Sequence, residues 1–180
     1  MKTGLPIKTV KLKKHHHSWS SLFAREKESI LKLLGNQRAL SIEHVGSTAI
    51  PGMQSKPIID INVAVNSLVD IADFIEKLPQ LGYQYIPHRS YPNTGYKNRA
   101  FFVKGEENNR THHLKLLEQK SEAWINPILF RDYLIKNKQA QDDYKKLKQQ
   151  LADQYPDSRR EYTKGKSAYI EYVLQKIKNT

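Results

Sequence analysis

Three short segments carry residue types that can hold or move phosphate: Glu43-His44-Val45-Gly46-Ser47-Thr48, the apolar run Ile58 to Val65 with Asp60 and Asn62 inside it, and Arg110-Thr111-His112-His113. A glycine at a strand end lets backbone approach a ligand closely, and the amides and hydroxyls of Ser47 and Thr48 after it can cradle a phosphate. The same Gly-Ser-Thr also reads as an ordinary turn with a helix cap. Asp60 and Asn62 share one face of a strand because side chains alternate with period two, an arrangement that can hold magnesium against phosphate oxygens. Asparagine supplies a neutral carbonyl, so the pair has less charge than two carboxylates.

His112 and His113 point to opposite faces of their strand, His113 with Thr111 and Lys115, His112 with Arg110 and Leu114. Each reads either as a hydrogen-bonded structural histidine or, near Asp60, as a ligand for a metal or phosphate. Lys56, Arg99 and Arg110 are the cations placed around a polyphosphate, and each also reads as a surface ion-pair partner. Tyr162, Lys164 and Lys166 form a candidate rim, and His15-His16-His17 reads as a solvated loop before a helix.

The elements that position these groups follow from hydrophobic period. Ile7 to Leu12 predicts a short strand. Ser18 or Ser20 caps a helix carrying Trp19, Leu22, Phe23, Ile30, Leu33 and Leu34, with Gly35 as its stop. Ala39 to Val45 predicts a strand entering Gly46; Pro51-Gly52 breaks the chain, and Ile58 to Val65 predicts a central strand covered on both faces. Asn66 is the expected cap of a helix over Leu68, Ile71, Ala72, Ile75 and Leu78, ended by Pro79 and Gly82. Tyr83 to Ile86 predicts a strand and His88 to Asn98 a loop. Ala100 to Lys104 and Thr111 to Glu118 flank the turn signal Gly105 to Asn109, a hairpin. From Ser121 the pattern is helical, with Trp124, Ile128, Leu129 and Leu134 in one helix and Tyr144, Leu147 and Leu151 in the next. Tyr155-Pro156 interrupts, and a last helix starts near Lys166. Strands before helices predict an α+β fold, a mixed sheet with a C-terminal helical layer.

Composition sets the outer bounds. A chain of 180 residues with 45 Leu, Ile, Val and Phe is long enough for one domain, expected over residues 1–180. It contains no cysteine, which removes disulfides, thiolate metal sites and a cysteine nucleophile. No run approaches the ~18 apolar residues of a membrane span, so no membrane partner and a cytoplasmic location are expected. The net charge of +12 is uneven: residues 1–40 hold nine basic and two acidic groups, residues 41–103 five of each, residues 104–180 sixteen and eleven. Basic flanks of this kind read as a solvated lysine-rich surface or as a surface for a nucleotide, RNA or another polyanion.

The ordered blocks Glu43-His44-Val45-Gly46-Ser47-Thr48-Ala49-Ile50-Pro51-Gly52, Lys56-Pro57-Ile58-Ile59-Asp60, Arg99-Ala100-Phe101-Phe102, Arg110-Thr111-His112-His113-Leu114 and Phe130-Arg131-Asp132-Tyr133-Leu134 resemble the GrpB family signature, as does Tyr162 to Glu171. The resemblance implies a nucleotidyltransferase-like fold in which Gly46-Ser47 matches the glycine-serine phosphate motif and Asp60 the first metal carboxylate. It implies a nucleotide or other phosphorylated ligand and nucleotidyl transfer; joined to the reading of the residues, the candidate site has Asp60 and His113 as catalytic groups, Mg2+ on Asp60 and Asn62, and Glu43, His44 and His112 as further candidates. Asn62 departs from the second carboxylate, and Lys115 stands where the family often has histidine. A non-catalytic phosphate-binding module and an RNA-binding accessory protein are the alternatives that the same residues allow.

Overall fold

A computed structural model describes residues 10–69, 71–87, 99–106 and 109–179. Five strands, β1 (Ser41–Val45), β2 (Ile59–Val65), β3 (Tyr83–Ile86), β4 (Ala100–Glu106) and β5 (Asn109–Glu118), form one sheet of order β1-β2-β5-β4-β3. Only β2 and β5 run parallel; the other neighbours are antiparallel. The sheet is therefore mixed, as the pattern of strands before helices predicts.

Helix α1 (Ser18–Leu34) and the short α2 (Ala72–Lys77) cover one face. Against them the alternating residues Ile59, Ile61, Val63 and Val65 of β2 and Leu114 and Leu116 of β5 bury a core that also takes Trp19, Ile30 and Leu34. The opposite face meets α3 (Glu122–Lys136), α4 (Lys138–Gln154), α5 (Arg159–Gly165) and α6 (Ser167–Lys178). There Trp124 packs on Ala64 and Leu117, while Phe130, Leu134, Tyr144 and Val173 form a second core with Ile50 and Met53. Burying apolar side chains on both faces of β2 accounts for its run of apolar residues.

Several local expectations change. Helix α1 starts at Ser18 after His17, and neither serine caps it: His16 Nδ1 accepts the Ser18 amide at 3.2 Å, and Ser20 donates to the His17 carbonyl at 2.9 Å. Among the described residues Asn66 caps nothing: it stands in a bend where Ser67 accepts the Val69 amide and Glu118 the Leu68 amide, so α2 waits until Ala72 and continues as a 3-10 turn over Leu78–Leu81. Among the described residues, 10–12 pair with no strand; the nearest ladder contact is the bridge of Lys13 to Ser55. The first part of the strand expected over residues 7–12, the loop over 88–98 and the hairpin turn at 107–108 lie outside the described residues. Helix α5 is an addition that apolar period alone does not reveal.

Candidate functional site

A cleft of about 400 Å³ opens between the helix-covered face of β1, β2 and β5 and helices α3 to α6. Asp60, which register places beside Val45 on β1 and His113 on β5, forms its floor together with Lys115. Asp60 Oδ1 lies 3.3 Å from His113 Nδ1, with 29% of the Asp60 side chain exposed. Burial opposes ionisation of this carboxyl, but the hydrogen bond from His113 and the charges of Lys115 and Lys56 outweigh it and hold it well below the usual carboxylate range.

Gly46 ends β1 at φ 73° and ψ −173°, a region open in practice only to glycine. Its missing Cβ has a definite occupant: a methyl there would stand 2.7 Å from Asp60 Oδ2. Close approach at Gly46 is thus made by the protein's own carboxylate. Ser47 follows at the cleft wall and hydrogen-bonds Tyr144 of α4.

Thr48 turns away. It is buried, donates its hydroxyl to the Ile58 carbonyl at 3.2 Å and meets His44 Nε2 at 3.0 Å. With the hydroxyl hydrogen committed to Ile58, His44 Nε2 must carry the proton and donate. His44 stacks on Phe23 of α1 at 4.8 Å, and burial pushes its pKa down to about 4, so it stays neutral. Both residues therefore tie β1 to the α1 side of the sheet and leave the cleft.

The remaining expected residues divide similarly. Lys56 lines the cleft. Glu43 accepts from Arg131 Nη1 at 2.6 Å, and the same guanidinium binds the His44 carbonyl and, through Nε, Asp132. Asn62 shares a face with Asp60 as alternation requires, yet it is fully buried, its amide has no hydrogen-bond partner among the described residues, and it does not line the cleft. His112 points to the opposite face, in contact with Thr111 and near Glu26 and Lys104. Arg110 donates to the Gly105 carbonyl at 3.1 Å beyond a bulge in β4, and Arg99 lies over the Phe101 ring, neither lining the cleft.

The rim candidate Lys166 and the strand lysine on the His113 face join Lys56 here. Lys115 and Lys166 line the cleft with Lys56, and the ammonium groups of Lys56 and Lys166 lie 5.8 and 4.5 Å from the Tyr162 ring centroid. Among the described residues none of the three forms an ion pair. Desolvation lowers the pKa of each, Lys166 to about 8. Behind them Lys148 of α4 is 1% exposed, donates to the Gln54 carbonyl and is pushed down to about 7 by burial and by Lys166 and Lys56. Gln141 on the same stripe donates to the Pro51 carbonyl at 3.0 Å, so α4 binds the two ends of the turn after Gly46.

The model of the GrpB protein family matches residues 9–176. The chain belongs to the GrpB family. It is 36% identical over 164 residues to the glutamate-rich protein GrpB of Alkalihalophilus pseudofirmus, covering 91% of this chain and 92% of that protein. It is also 36% identical over 173 residues to the UPF0157 protein YqkA of Bacillus subtilis; this match takes in 96% of the chain and spans about half, 48%, of YqkA. The crystal structure of the conserved protein GrpB from Enterococcus faecalis superposes with a TM-score of 0.80 at 29% identity, over 92% of this chain and 96% of that one. The α+β fold of mixed sheet and helical layer is thus that of a GrpB protein.

Proposed function

We propose that this GrpB protein binds a phosphorylated ligand, a nucleotide or a related phosphate ester, in the cleft above Asp60. The observation that carries the reading is charge: Lys56, Lys115 and Lys166 enter the cleft without ion-pair partners among the described residues, facing the single carboxylate of Asp60. Desolvated ammonium groups that repel one another are stabilised by an anion of two or more charges, and phosphate oxygens meet several at once. Ser47 adds a hydroxyl at the wall.

Nucleotidyl transfer is favoured over simple binding by the contact of Asp60 with His113. Asp60 fixes the tautomer by accepting from Nδ1, which leaves Nε2 to take the proton of an acceptor hydroxyl. The proposal uses no resident magnesium. That ion favours several oxygens in octahedral array, whereas the cleft offers one carboxylate ringed by Lys115, Lys56 and His113, and Asn62 lies outside it. No group of three or more His, Asp or Glu among the described residues is arranged for a metal. The donor set does not fit.

Isothermal calorimetry with pyrophosphate and a panel of nucleoside triphosphates, with and without magnesium, tests the reading. Lys115→Met should weaken the tightest ligand about 10- to 100-fold, the loss expected for a charge-assisted hydrogen bond. Absence of heat with every phosphate compound would refute it.

A further inference from the structure

The geometry points to Lys166 as a nucleophilic amine that condenses with an anionic aldehyde or ketone, a phosphorylated carbonyl compound, to form a Schiff base in the cleft. The choice of a phosphorylated ligand rests on the function proposed above; the assignment of the nucleophile rests on placement. Lys166 stands at the corner between α5 and α6, and Gly165 before it packs so closely that an added Cβ would stand 2.4 Å from Leu151. That corner delivers the amine to the cleft wall, over the Tyr162 ring at 4.5 Å.

Every element around it presents charge or a neutral phenol. Lys56 comes from the connector before β2, Asp60 from β2, His113 and Lys115 from β5, Arg131 from α3, Tyr144 and Lys148 from α4, and Tyr162 from α5. Cations outnumber the one carboxylate, and that carboxylate faces His113. A lysine so surrounded sheds its proton more easily than a solvated one, and an amine beside other cations in a desolvated site is the form that attacks carbonyl carbon. The depressed pKa of Lys166, about 8, agrees with this placement. Lys148 is lowered further but is sealed at 1% exposure and donates to the Gln54 carbonyl, which withdraws it from any ligand.

In the step, the Lys166 nitrogen gives its lone pair to the carbonyl carbon while the carbon–oxygen π pair passes to oxygen. Proton exchange with water converts the adduct to a carbinolamine. Loss of its hydroxyl as water and of the nitrogen proton leaves the imine. One amine and one carbonyl yield one imine and one water, without change of oxidation state.

Pyridoxal 5′-phosphate is the probe. The full chain is mixed with a stoichiometric amount at pH 7.5, reduced with sodium borohydride, digested and mapped by mass spectrometry. The expected result is an adduct on Lys166 at least tenfold above that on the exposed Lys164, with unphosphorylated pyridoxal labelling Lys166 at least tenfold more slowly. Lys166→Arg, checked for folding by circular dichroism, should lose the imine absorbance, whereas Lys164→Arg should keep it. Equal labelling of Lys164 and Lys166 in the wild type would overturn the nucleophile even if pyrophosphate binds. Equal labelling of Lys166 by pyridoxal would overturn the phosphorylated ligand. Selective labelling without any pyrophosphate heat would leave the nucleophile standing and remove the phosphate-binding function instead.

Discussion

Replacing Gly46 with alanine should destabilise the protein through two separable effects. The first is backbone strain: φ 73° with ψ −173° lies where side chains are scarcely tolerated, at roughly 1–3 kcal/mol. The second is steric. The new methyl would stand 2.7 Å from Asp60 Oδ2 and 3.3 Å from Asp60 Cβ and Cγ, and forcing a packed neighbour aside costs about 1–3 kcal/mol. Together these remove roughly 2–6 kcal/mol from a stability on the order of 5–15 kcal/mol, a fall in Tm of roughly 5–20 °C for a chain of this length. A double-mutant cycle with Asp60→Ala separates them, because removing the carboxylate removes the clash and leaves the strain. Urea unfolding followed by circular dichroism should give a coupling of about 1–3 kcal/mol between the two positions. If Gly46→Ala melts within about 2 °C of wild type, or if the cycle closes without coupling, the glycine is not there to admit Asp60, and the floor of the cleft has been misread.

Two further outcomes follow from the same geometry. Lys148 and Lys166 have folded pKa values of about 7 and about 8, against ~10.4 in an unfolded chain; between those limits the unfolded state binds more protons, so stability should rise as pH increases from 7 to 9.5. Melting curves of the free protein over that range check the sign, and a flat or falling Tm would contradict the buried cations; saturating pyrophosphate should flatten the slope by favouring the protonated amines. Thr48→Val should cost about 1–3 kcal/mol by stranding the His44 Nε2 proton and the Ile58 carbonyl. It should leave pyrophosphate affinity unchanged in calorimetry, and a tenfold weakening without loss of stability would return Thr48 to the phosphate cradle.

The strands were legible because each carries a period-two or doubly buried pattern bounded by Gly or Pro. Tyr83–Ile86 matches the expectation to the residue, and Ile59–Val65 and Ser41–Val45 fall within the predicted runs. Alternation also correctly separates His113, which reaches Asp60, from His112 on the α1 side. What period could not decide was the use of each exposed-looking polar group. Thr48 follows Ser47 in the same 3-10 turn, yet one faces the cleft and the other the sheet, because a tight turn rotates successive side chains well apart. Arg99 and Arg110 resemble ligands by residue type, but Arg99, just before β4, and Arg110, in β5, do not line the cleft.

Lys56 and Lys166 were legible in the sequence as cations near the site; the cleft position of Lys115 and the burial of Lys148 were not, for a different reason. In a chain with 30 Lys and Arg, any single lysine reads as surface. Two signals were nonetheless present in the helices. Gln141, Tyr144, Lys148 and Leu151 recur at intervals of three and four, so a polar amide and a lysine occupy the stripe that an amphipathic helix buries; buried lysine needs an acceptor or a neutral form, and it found both a carbonyl and a lowered pKa. Ser158-Arg159-Arg160-Glu161 has the spacing of a capping box, and Ser158 does accept the Glu161 amide at 3.3 Å. Reading that cap would have started α5 at Arg159, put Tyr162 on its first turn and brought Lys166 to a corner between two helices. The cleft is accordingly built by two kinds of sequence logic: the sheet and its connectors contribute Asp60, the glycine that admits it, Lys115 and Lys56, while the α5 cap and the buried stripe of α4 bring Lys166 to the cleft and Lys148 behind it.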